Sequence, residues 1–215
     1  MSDFPKMYVE GPDDCFSLQA LLERNGVRIT KEDGPVTIEQ TKSVSTLLEN
    51  LEIYVKTAQG LKQPVAFVLD IDNDLASRWE SIRSKLNRQG ARLSAADLVT
   101  SGLVVNLPRA SVGVWLMPDN VISHGKLEDF LRTLIKPNDP CINVALEFVR
   151  RISEEVSEGM RFMAKDVEKA EMSAWLSVQN EPGLPYGTAI KARVMEANSP
   201  VADMFVKWFK EVYSL

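Results

Sequence analysis

Apolar positions along this chain follow two periods, and the clearest signal is a run with neither. Residues 65–69, Val-Ala-Phe-Val-Leu, are unbroken and end abruptly in Asp70, Asp72 and Asp74. A short apolar run rich in β-branched and aromatic residues predicts a strand buried on both faces, as in a parallel sheet. Lys6–Val9 predicts a first strand that closes on Glu10-Gly11. Phe16, Leu18, Leu21 and Leu22 then take helical spacing and predict a helix over 15–25, with Asp13 or Asp14 as its N-cap and Asn25-Gly26 as its stop. Residues 27–30 read as a second strand, giving a βαβ-like unit and a sheet that is at least partly parallel. The polar stretch 31–41 reads as a loop. Val44, Leu47, Leu48, Leu51, Ile53 and Val55 predict a helix over 43–59, closed by Gly60. Trp79, Ile82 and Leu86 predict another over 76–89, ended by Gly90.

Two further strands are expected at 102–107 and 112–117, about a turn at Pro108-Arg109, and the second runs into Pro118-Asp119-Asn120. A helix is expected over 126–135, after a loop at Gly125. Beyond Pro137 and Pro140 the pattern is helical, over 142–156, 162–178 and 201–213, with a turn-rich loop at 181–187. The expected fold class is therefore α/β, a mostly parallel sheet flanked by helices, with a helical C-terminal portion.

Composition narrows the picture. The chain has 215 residues, 45% hydrophobic and 26% charged, which suits a globular protein with a sizeable core. No apolar run approaches the roughly 20 residues of a membrane span. The N-terminus has no basic region followed by an apolar one, and the two cysteines, Cys15 and Cys141, do not make a disulfide framework. A cytoplasmic location is expected. The sole histidine, His124, excludes most histidine-based metal sites and leaves a Ser-His-Asp enzyme unsupported. A net charge of −5 argues against binding nucleic acid through overall charge, but not against a local basic face. Such a face exists: Arg78, Arg83, Lys85, Arg88 and Arg92 stand against the single acid Glu80 over residues 76–92.

The candidate chemistry lies in the acids. Glu10, the Asp70/Asp72/Asp74 set and Asp119 all sit at strand ends, and Glu128 opens a helix. Parallel strands bring adjacent carboxyl ends within reach of one ion, and oxygen ligands favour Mg²⁺, Mn²⁺ or Ca²⁺. The same acids admit other readings. An EF-hand loop is excluded by Leu75 and Ser81 at its sixth and twelfth positions. An aspartate-based phosphatase wants another residue at Asp74. Solvated turn acids, with Asp74 as a helix cap, are the plain structural alternative.

The order Val9-Glu10-Gly11-x-x-Asp14, then Leu69-Asp70-Ile71-Asp72, then Gly125-Lys126-Leu127-Glu128 resembles a Toprim domain of the OLD-nuclease kind. The wider pattern resembles the stand-alone bacterial DUF3226 type: VEGPDD, VLDIDND, VGVWLMPDN, LEDFL, then Lys169-Ala170, Ala174-Trp175-Leu176, Gln179, Pro182-Gly183, Pro185, Gly187 and Ala189-Ile190. That resemblance implies a Toprim-like core over 5–136 and a helical portion over 137–215 packed on it. It implies Mg²⁺ or Mn²⁺ held by Glu10, Asp14, Asp70, Asp72 and Glu128, with Glu10 also a general acid or base and Lys165 or Lys169 near the scissile phosphate. Arg78, Lys85, Arg88 and Arg92 are the expected nucleic-acid contacts. The expected function is metal-dependent hydrolysis of DNA or RNA, with weak binding alone and with a separate ABC- or OLD-type ATPase, or a second copy, as partner. The alternatives are a non-catalytic interaction module and an aspartate-based phosphatase.

Overall fold

The computed structural model describes residues 4–29, 34–157 and 159–215. Five strands form one sheet: β1 (Lys6–Val9), β2 (Thr37–Gln40), β3 (Val65–Asp70), β4 (Leu103–Leu107) and β5 (Ala110–Met117). Their order is β2-β1-β3-β5-β4. The first four in that order run parallel, and β4 returns antiparallel to β5 through the expected turn. Among the described residues eight α-helices surround the sheet: α1 (Pro12–Arg24), α2 (Val44–Leu61), α3 (Leu75–Arg88), α4 (Leu127–Arg132), α5 (Pro140–Glu155), α6 (Val167–Ser177), α7 (Tyr186–Lys191) and α8 (Pro200–Tyr213).

Strand alternation sorts the core into two layers. Val65, Phe67 and Leu69 of β3, with Val112, Val114 and Leu116 of β5, pack against α2 and α3 through Leu47, Leu51, Val55, Trp79, Ile82 and Leu86. Ala66, Val68, Trp115 and Met117 face the other way and join α1, α4, α6, α7 and α8. The unbroken apolar run of β3 is thus explained by burial on both sides. The largest single cover is α8. Trp208 donates its indole N–H to the Leu103 carbonyl at 2.9 Å, and Phe205 meets Trp115 edge-on at 5.3 Å. Gly113 makes room for it, since a Cβ there would lie 2.5 Å from Val212 and 2.9 Å from Trp208.

The structure moves several expected elements. Val27 and Ile29 are buried, yet 27–29 form no strand, and Thr30 lies outside the described residues. The strand beside β1 is β2 instead, within the stretch expected to be loop, of which 31–33 lie outside the described residues. Thr-Ile-Glu-Gln carries little hydrophobic signal; backbone pairing from Lys6↔Thr37 to Val9↔Gln40 recruits it. Gly11, not Asp13 or Asp14, is the N-cap of α1. Helix α2 runs through Gly60 and stops at Lys62, which adopts a left-handed conformation. Helix α4 ends at Arg132, α6 starts only at Val167 after a 3-10 turn (Ala164–Asp166), and α7 opens inside the expected loop. Asp74 caps α3 as expected, accepting from the Ser77 N–H at 3.1 Å. Among the described residues no helix is long and apolar enough to cross a membrane.

Candidate functional site

The chain leaves β1 through α1 to reach β2 on one side, then passes through α2 to β3 on the other side of β1. The two crossover helices lie on opposite faces, α1 in one core layer and α2 in the other. The carboxyl ends of β1 and β3 therefore border a crevice at the point where strand order reverses, which is where open α/β sheets place their ligands. Glu10 follows β1 and Asp70 ends β3, so both acids border that crevice.

The local bonds fix these acids. The Asp70 N–H donates to Glu10 Oε1 at 2.9 Å, tying the two strand ends together. Asp70 Oδ1 accepts from the Leu127 N–H at 2.9 Å, which brings the start of α4 and Glu128 onto the same edge. Asp14 Oδ2 accepts from the Gly11 N–H at 3.0 Å in the first turn of α1. Asp72 takes a left-handed backbone (φ 59°) and exchanges two backbone hydrogen bonds of 3.0 Å with Gly125. Gly125 itself has φ 152°, and a Cβ there would strike the Pro118 ring. Asp72 Oδ2 accepts from Arg78 Nη2 at 2.6 Å.

Burial first, and mutual repulsion second, raise the pKa values of these acids. Burial pushes Glu10 up to about 7; the Asp70 N–H opposes this, while Asp14 and Asp72 add to it. Burial lifts Asp14 to about 6, with Glu128 and Asp13 adding to it. Asp70 is raised well above the usual carboxylate range by burial first, then by Glu10, Asp14, Glu128 and Asp72. Glu128 is raised by burial, and Lys169 and Lys126 partly offset the shift. Among the described residues no lysine or arginine forms an ion pair with Glu10, Asp14, Asp70 or Glu128. Crowded oxygen donors of this kind fit a hard divalent cation, which would relieve their repulsion. Among the described residues, however, no three acidic, imidazole or thiol side chains close into a ready-made cage.

A cleft of about 780 Å³ opens over this edge, lined by Asp70, Asp72, Glu128, His124, Lys126, Lys165 and Lys169 among others. Lys169 Nζ bonds Asp13 at 3.0 Å, across to α1, not to its own helical neighbours. Lys126 was not singled out in the sequence, although it stands two residues before Glu128. Its ammonium bonds the Lys165 carbonyl and Glu168 Oε2, joining α4 to α6. The basic face of α3 is placed differently. Arg78 holds Asp72, and Arg88 is paired with Glu52 of α2 at 2.6 Å. Ten residues of helix put Arg88 about 15 Å from Arg78, away from the acids. Lys85 acts on the same Glu52, and Arg92 is exposed beyond the helix end. Asp119 stands outside the cluster and accepts from the Val121 and Ile122 N–H groups as a turn acid.

One family model, described as "Protein of unknown function (DUF3226)", matches residues 5–214 of the chain. No curated protein and no solved structure matches it.

Proposed function

The chain belongs to the DUF3226 family, and on that premise we propose that it is a metal-dependent nuclease of the Toprim kind, hydrolysing phosphodiester bonds in DNA or RNA. The observation that carries this reading is the crowding of Glu10, Asp14, Asp70 and Glu128 at the strand-order reversal, with raised pKa values and, among the described residues, no ion pair to a lysine or arginine. These four would hold Mg²⁺ or Mn²⁺, and Asp72 could join them if its bond to Arg78 opened. A bound divalent cation supplies charge stabilisation at a phosphoryl oxygen and a more acidic water. Glu10 keeps its raised value only while its carboxylate is off the cation, so it would serve either as a ligand or, left off the ion, as the group that takes up and returns a proton. Lys169 presents an ammonium to a phosphate in the cleft while Asp13 fixes its position, and Lys126 and Lys165 add positive charge to the same wall. The paired arginines of α3 fit a supporting contact less well than these lysines do. With a net charge of −5, the chain suits joint action with a separate ATPase or a second copy.

The test is nicking of supercoiled plasmid and cleavage of structured RNA with Mg²⁺ or Mn²⁺. Wild type should cut one of them, and Glu10→Gln and Asp70→Asn should each lower the rate by about 10²–10⁴-fold. Wild-type rates in both variants would sink the proposal. A second reading, a non-catalytic module that binds metal or a partner, draws on the absence of a ready-made cage among the described residues and on the Arg78 bond to Asp72. Calorimetry with Mg²⁺ and Mn²⁺ separates the two, since binding without turnover favours the module.

A further inference from the structure

One part of the sequence pattern has no role in the carboxylate site: Trp175-Leu176, Pro182-Gly183, Pro185 and Gly187. These residues belong to α6, to α7 and to the turn between them, where a second cavity of about 210 Å³ is lined by Asp13, Lys169, Ser173, Leu176, Leu184 and Tyr186 among others. We propose that this cavity is a subsite for one unstacked nucleobase of a strand whose phosphate lies at the carboxylates. The inference rests on the nuclease reading for the position of that phosphate.

Continuity comes first. Lys169 lines both the carboxylate cleft and the small cavity, so a nucleotide with its phosphate beside this ammonium has its base at the cavity mouth. Size comes second. The cavity is below the roughly 300–1,000 Å³ of sites for drug-sized ligands, so it takes a fragment and not a whole nucleotide. Chemistry then selects the fragment. Asp13 lines the cavity, and Asp13 and Glu128 both bear on Tyr186, so an anion inside the cavity itself is disfavoured. A neutral sugar needs several polar partners, whereas Leu176 and Leu184 offer apolar walls. A base has a flat apolar face and a few polar edge atoms, and this lining matches it.

Two features mark the cavity as built. Tyr186 is only 6% exposed, and its hydroxyl is sealed from water, with the Ser173 side chain beside it but no hydrogen bond of good geometry. A buried hydroxyl is rarely left unpaired, and an entering base edge could supply its partner after a small shift of the wall. The wall itself is fixed: at Gly187 a Cβ would sit 2.5 Å from the Phe16 carbonyl oxygen, so α7 rests directly on the α1 backbone.

The experiment is a titration in Mg²⁺ of nucleoside 5′-monophosphates, which carry no phosphodiester bond to cleave, against ribose 5-phosphate, followed by ligand-observed NMR. The monophosphate of at least one base should bind about tenfold more tightly than ribose 5-phosphate. Ser173→Trp, which fills the cavity from an exposed position, should abolish that advantage, and Tyr186→Phe should weaken it several-fold. Equal binding of ribose 5-phosphate, no nucleotide binding, or an unchanged advantage in folded Ser173→Trp would each overturn the subsite. Base binding without any nicking activity supports the subsite and removes the nuclease reading. Nicking without base binding does the reverse.

Discussion

Glu10, Asp14, Asp70 and Glu128 each hold a proton more tightly in the folded chain than in the unfolded one. The folded state thus binds more protons between the ordinary carboxylate range and about pH 7, and stability falls as pH rises through that window. For Glu10, pushed up to about 7, ionisation costs on the order of 3 kcal/mol. Thermal melts in EDTA should show the highest melting temperature near about pH 5 and a decline towards about pH 8. Glu10→Gln should flatten that decline, and a wild-type melting temperature that rises over the same range would contradict the electrostatic account. At this scale the acids themselves were legible, because each stands where an apolar strand stops or a helix starts. Their partners were not. The spacing on α3 marks Arg78 as part of a basic face but does not show that the left-handed turn at Asp72 sets this carboxylate against its guanidinium. The resemblance implies Lys169 near a phosphate without naming its partner, and that partner, Asp13, lies 156 residues away.

Gly125 links the loop after β5 to the loop after β3, and its conformation admits no side chain. Gly125→Ala should force the Asp72 and Gly125 backbones apart, cost a few kcal/mol in urea denaturation and weaken cation binding in calorimetry. Wild-type values on both measurements would show that this bridge is dispensable. Elements with long periodic faces could be read from the sequence: α2, α3 and α8, and β3 with its terminal acids. Short elements could not. Strand β2 has four residues at the sheet edge, with one apolar side chain among them, and α7 has six residues wrapped in turn formers. In both, tertiary contact fixes the backbone, through the β1 ladder for one and the α1 surface for the other. The buried Asn120 escaped notice for the same reason. It reads as a turn residue, but its side chain accepts from the Leu116 N–H at 2.7 Å and pins the end of β5.

Across the whole molecule, α8 closes one face of the sheet. Trp208 and Phe205 fill the layer over Trp115, and the Tyr213 hydroxyl donates to the Lys6 carbonyl at 2.7 Å. Trp208→Ala should lower the unfolding free energy by about 3–5 kcal/mol, measured by urea denaturation. A loss below about 1 kcal/mol would mean that α8 is only loosely docked. A mostly parallel α/β sheet was legible from the strand-helix alternation. The strand order was not, since nothing local tells β3 to settle beside β1; strand-end acids in a parallel sheet predict a shared edge, but not which strand ends are neighbours. The bond from the Asp70 N–H to Glu10 spans 60 residues of sequence. It can close only after β1 and β3 have come together, and contacts made late bear on how fast a native chain opens, not on how fast it forms. A cation held by these acids would then work as a clock. It would lengthen the lifetime of the native chain against proteases and leave its rate of folding unchanged.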